Sequence, residues 1–130
     1  MKGWRRLTAA LGLGAVQSCA PATAPPEPRL EQAVIVHFNY GSTDLTQLFE
    51  LEGKLAQAIS AAGVGEYDGN EISADGSDDT LYMYGPDADR LFQTVEPLLK
   101  TAAFMKGAKV IVRYGPPADG VREREVTIAP

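Results

Sequence analysis

The sequence predicts an α+β domain in which two helices lie on one face of an antiparallel sheet. Three observations lead there. Apolar residues alternate with period two in several short stretches, of which "AVIVHF" and "LYMY" are the clearest. Two longer stretches, near Leu45 and near Leu91, repeat their apolar residues at helical spacing instead. In chain order these stretches read β α β β α β β, with turn residues between them. A chain of 130 residues with 45% hydrophobic content has room for one domain with a modest core and no room for two.

The folded part begins at "AVIVHFNY". Val34, Val36, Phe38 and Tyr40 point one way, and Ile35, His37 and Asn39 the other, as in a strand with one buried face. "GSTD" supplies a turn and three N-cap candidates, Ser42, Thr43 and Asp44. Leu45, Leu48, Leu55, Ile59 and Ala62 form the stripe of the first helix, and Gly63 suits its left-handed stop. "VGEYDGNEISADG" and "DTLYMYG" read as two strands joined through the acidic turn "ADGSDD". In the second of them Leu81 and Met83 share one face, and Tyr82 and Tyr84 the other.

"PDAD" offers Asp87 as the N-cap of the second helix, with Asp89 in its first turn at the positive end of the dipole. Leu91, Val95, Leu98, Leu99 and Ala102 are its buried stripe, and Pro97 inside the pattern predicts a kink or a short break. "AKVIVRYGPP" is a strand with Val110, Val112 and Tyr114 inward. The Arg/Glu alternation of "VREREVTIAP" marks a last strand at a solvated edge. The first six elements match the split βαβ, ferredoxin-like sandwich (βαββαβ), to which residues 33–130 add a C-terminal strand. "GEYDGNEI", "LYMYGPDADRLF" and "RYGPP" resemble small bacterial domains of uncharacterised function, a resemblance that implies the fold and brings no activity with it.

The head of the chain differs in kind. Lys2, Arg5 and Arg6 precede the apolar run from Leu7 to Val16, which passes into small residues. That is the layout of a secretory signal peptide over residues 1–18, and the run is too short to span a bilayer. "VQSC", Val16 to Cys19, resembles the lipobox of bacterial lipoproteins, although Gln17 departs from the usual small or aliphatic residue. The resemblance implies cleavage before Cys19 and acylation of Cys19, with Ala20 favouring the outer membrane where there is one. Several acyl chains, at about 0.8 kcal/mol per buried methylene, anchor a protein where one chain is marginal. The alternative is ordinary secretion with cleavage after "SCA" and no lipid. Cys19 is the only cysteine, so no intramolecular disulfide is possible. Residues 19–32 follow with four prolines, a tether of which a dozen residues reach on the order of 35 Å as polyproline II at about 3.1 Å per residue.

Removal of residues 1–18 takes Lys2, Arg5 and Arg6 and leaves nine basic residues against 17 acidic ones, a net charge of −8. Such a surface repels phosphate backbones, so nucleic acid is not an expected partner. The segment "YDGNEISADGSDDTLYMYGPDAD" concentrates carboxylates without completing a twelve-residue calcium loop ending in glutamate, and no metal or other cofactor is expected. His37 is the lone histidine, and no G-x-S-x-G elbow or free thiol accompanies it. A carboxylate pair such as Glu66 with Glu71 carries no local signature.

The helices should leave one sheet face open, carrying His37, Asn39, Tyr82, Tyr84 and Arg113, and aromatic residues among polar ones suit a contact surface. The expectation is therefore a membrane-tethered, non-enzymatic accessory or binding domain of the bacterial envelope with a protein partner. Two other readings stay open: a small hydrolase using His37 or the acidic segment, and an acidic inhibitor or immunity-type protein that masks a basic site.

Overall fold

The computed structural model describes residues 31–130. The segment expected to be a signal peptide, Cys19 and nearly all of the expected tether lie outside the described residues. Strand β1 (Gln32–Phe38) leads to helix α1 (Thr46–Ala62), the hairpin β2 (Glu66–Ile72) and β3 (Asp79–Gly85), helix α2 (Ala88–Thr101), a 3-10 turn (Ala103–Met105), and strands β4 (Lys109–Arg113) and β5 (Glu123–Thr127). The strands form one sheet in the order β2-β3-β1-β4-β5, and every neighbouring pair is antiparallel. The fold is α+β, with β5 at an edge as its charge alternation predicts.

This order explains why one face stays open. Helix α1 joins β1 to β2 and α2 joins β3 to β4, and in each case the two strands run the same way with one other strand between them. The two units run in opposite directions and step toward opposite edges, so a right-handed crossover puts both helices on the same side. There Val34, Val36, Leu81, Met83, Val110 and Val112 are fully buried against Leu48, Leu55 and Ile59 of α1 and Leu91, Val95 and Leu99 of α2. Each such side chain contributes about 1.5–3 kcal/mol over its exposed state, several times the sub-kcal differences in helix propensity. Packing therefore holds the helices in place.

Three local expectations are corrected. Strand β1 ends at Phe38, before Asn39 and Tyr40, because the Tyr40 N–H leaves the ladder to donate to the Asp79 carboxylate at 2.9 Å. None of Ser42, Thr43 and Asp44 is the capping residue of α1; the boundary falls on Leu45, which has no side-chain cap. Asp44 still serves the helix start, accepting from the Thr46 N–H at 3.1 Å and the Thr46 hydroxyl at 2.7 Å. Helix α2 runs without a break through Pro97. Proline removes the hydrogen bond to the Gln93 carbonyl, but Gln93 and Pro97 both lie on the exposed side, where water can donate instead. Asp87 caps α2 as expected, accepting from the Arg90 N–H at 3.2 Å, and Gly63 ends α1 with φ 65°.

Candidate functional site

Residues paired across an antiparallel ladder point to the same face, so the register of five strands writes out the open face as three rows. The middle row runs Gly69, Tyr82, Ile35, Ile111, Glu125; on one side of it lie Glu66, Tyr84, Ala33, Arg113, Glu123, and on the other Glu71, Thr80, His37, Lys109, Thr127. Tyr82, Tyr84, Ile35 and Ile111 are partly exposed. They hold apolar area at the centre of the face because no helix covers them. Lys109 and all four glutamates are exposed.

The structure brings together His37, Tyr82 and Tyr84 on this face and separates the other two candidates from it. Asn39 is exposed but lies beyond the end of β1, in the loop to α1. Arg113 has the expected register, yet it is only 8% exposed, and its Nε donates to the Gly115 carbonyl at 2.7 Å. Its guanidinium is folded against the β4–β5 loop. Ala33, between Tyr84 and Arg113, has no exposed surface, which is what two large neighbours do to a single methyl group.

The Tyr82 hydroxyl donates to Glu71 Oε1. That bond, followed by partial desolvation and the Glu71 charge, pushes the phenol above its ordinary pKa. His37 Nδ1 lies 3.2 Å from the Thr80 hydroxyl. A general base needs a group that orients it and a pocket for the reacting atom; here the partner is a hydroxyl, and His37 lines neither of the two grooves near Phe104. Glu66 and Glu71 stand opposite Tyr84 and Thr80, four residues apart along β3. That is roughly 13 Å of strand, wider than the ~5–9.5 Å of glycosidase carboxyl pairs.

The acidic segment resolves into separate structural tasks. Asp79, fully buried, accepts from the N–H groups of Tyr40 at 2.9 Å and Ser73 at 3.0 Å. Asp75 accepts from the Ser77 N–H at 3.0 Å and its hydroxyl at 2.6 Å, and these bonds lower its pKa. Asp89 accepts from the Tyr114 hydroxyl at 2.6 Å and Arg124 Nη2 at 3.2 Å, which ties α2 to the last two strands. The Tyr114 bond, more than the Arg124 contact, holds the Asp89 carboxyl below its usual range. Among the described residues no three His, Cys, Asp or Glu side chains converge to hold a metal ion.

On the helix side, Glu52 of α1 gathers two donors from β2. Tyr67 gives its hydroxyl at 2.5 Å and Asn70 its amide at 2.7 Å, both to Oε1. Burial, then the Glu52 hydrogen bond and charge, raises the Tyr67 pKa. Two open grooves adjoin each other near Phe104: one is lined by Glu50, Lys54 and Thr101, the other by Tyr40, Ser42 and Asp44. Neither is lined by a residue of the open face.

Sequence reasoning did not single out Ile111, Lys109 or the outer glutamates as part of the face. The signal was present, since alternation in "AKVIVR" sets Lys109, Ile111 and Arg113 opposite the buried Val110 and Val112. Which glutamates flank them depends on strand order, which alternation does not encode. Among the described residues no helix is long and apolar enough to cross a membrane. Compared with known proteins, the chain shows no match to a family model, a curated protein or a solved structure.

Proposed function

We propose that this protein is a lipid-anchored, non-enzymatic binding domain of the bacterial envelope that meets a protein partner through its open sheet face. The observation that carries the reading is the row Tyr82, Ile35 and Ile111, with Tyr84 beside it. Three adjacent strands present partly exposed aromatic and aliphatic side chains among polar ones on the one face without helices, the composition that contact surfaces use. The anchor rests on the resemblance of "VQSC" to a lipobox, with Cys19 as the acylated residue and residues 19–32 as a tether.

The finer fold reading is a ferredoxin-like sandwich extended by β5. It is supported by β3 lying between β1 and β2, and β1 lying between β3 and β4, so that each βαβ unit is split by a strand of the other. A hydrolytic reading has no comparable support, because the side-chain partner His37 shows is the Thr80 hydroxyl and not a carboxylate.

Affinity capture from envelope extracts with the full chain tests the face. The wild type should retain a partner that the Tyr82→Ala/Tyr84→Ala variant loses, and capture indifferent to both substitutions would remove the face from the reading. Labelling cells with a clickable fatty acid tests the anchor: the wild type should take up label, and a Cys19→Ala protein that is still labelled would sink it.

A further inference from the structure

The charge on the open face is arranged, and the arrangement specifies what fits. Glu66 and Glu71 stand on the outer strand β2, while Glu123 and Glu125 stand on the outer strand β5. Strands neighbour one another at about 4.8 Å, so these two lines of carboxylates are roughly 19 Å apart. The apolar side chains between them occupy three strands, a floor on the order of 10 Å wide between Tyr82 and Ile111. Two cations share the face. Lys109 sits at one corner, and Arg113 is tied to the Gly115 carbonyl. Four glutamates against those two leave the face negative.

An α-helix with its side chains is about 10–12 Å across, the width of the apolar floor, and long basic side chains on its two flanks reach several ångströms further. We infer that the occupant of the open face is a basic amphipathic helix of a partner protein, lying along the strands so that its apolar face crosses the row Tyr82, Ile35 and Ile111 and its Lys or Arg side chains reach toward the two glutamate lines. The inference rests on the contact-face reading above and adds the partner's chemistry. The same charge disfavours the competing occupants. A second copy would bring glutamates against glutamates, and anionic headgroups and nucleic acid are repelled by a domain with 8 basic and 16 acidic residues over 31–130.

Three 18-residue synthetic helices sharing one Leu/Ile stripe, with flanks of Lys, of Gln or of Glu, are titrated into the full isotopically labelled chain, with amide shifts read by NMR. The Lys-flanked helix is expected to move Ile35, Tyr82 and Ile111 at micromolar to millimolar concentration. Its affinity should fall at least tenfold between about 0.05 M and 0.3 M salt, and at least tenfold in the Glu66→Gln/Glu71→Gln/Glu123→Gln/Glu125→Gln variant. If the Gln-flanked helix binds the same residues as tightly and the quadruple variant changes nothing, the basic-partner inference is overturned and the contact face stands. Shifts confined to the helix side with all three peptides would overturn both. Concentration-dependent shifts on the face without peptide would assign it to a second copy, which also overturns the inference. Retained amide dispersion of the quadruple variant establishes that it is folded.

Discussion

Replacement of Asp79 by alanine should cost a large part of the stability of the domain. The carboxylate is fully buried and accepts two backbone N–H groups, from Tyr40 at 2.9 Å and from Ser73 at 3.0 Å. It thereby joins the end of β1 to the β2–β3 turn, at the point where the Gly41 N–H also donates to the Gly76 carbonyl at 2.8 Å. Hydrogen bonds to a charged group contribute about 1.5–3 kcal/mol each, so Asp79→Ala is expected to lose about 3–6 kcal/mol. Asp79→Asn retains one acceptor oxygen and should lose about half of that. Against a typical domain stability of about 5–15 kcal/mol, the alanine variant gives up about a fifth or more. Urea unfolding of the full chain, followed by circular dichroism, reads the difference as a lower midpoint at unchanged slope, and the melting temperature should fall by about 15–30 °C. An Asp79→Ala protein within about 1 kcal/mol of wild type, or an asparagine variant no better than the alanine one, would refute the two-bond account.

Other expectations follow from the same bonds. Asp87→Ala removes the side-chain cap of α2 and should cost about 0.5–2 kcal/mol in the same unfolding measurement. Gly76→Ala should destabilise by about 1–3 kcal/mol, since its φ is 72° and a Cβ there would stand 2.8 Å from the Ser42 carbonyl oxygen. Gly53→Ala, mid-helix with no atom within 4 Å of the new methyl group, should stabilise by about 0.5–1 kcal/mol, and melting curves should separate the two glycines by sign. Acid titration of stability should show a loss below about pH 3.8 to which Asp89 contributes. Its carboxyl is held below its ordinary value of 3.8, so its stabilisation is complete above that value and is lost as pH falls through the lowered one. Asp89→Asn should flatten this part of the profile.

Much of the fold was legible because burial writes period into sequence. Val34, Val36 and Phe38 alternate with Ile35 and His37, and that alternation separated the helix-covered face from the open one. Asp87 and Gly63 announced their caps through residue type alone. Tyr40 was misplaced because alternation cannot show that its N–H would be taken by Asp79, 39 residues away. Pro97 predicted a kink or a short break from local chemistry; no break occurs, and the buried Leu91, Val95 and Leu99 keep the helix packed on both sides of it. For the candidate site, side-chain direction was readable for Tyr82, Tyr84 and His37. The seclusion of Arg113 and the glutamate lines flanking the apolar floor arise from a loop carbonyl and from strand order, which are tertiary facts.

The central claim is that the open face is where a partner meets this protein, and a photo-cross-linker tests it most directly. p-Benzoylphenylalanine is placed at Ile35, in the middle row of the face, or at Gln57, exposed on α1, in the full chain expressed in its own cells. After irradiation, a discrete adduct at position 35 and none of that mass at position 57 is the predicted result. A shared adduct at both positions, or one only at position 57, would contradict the account.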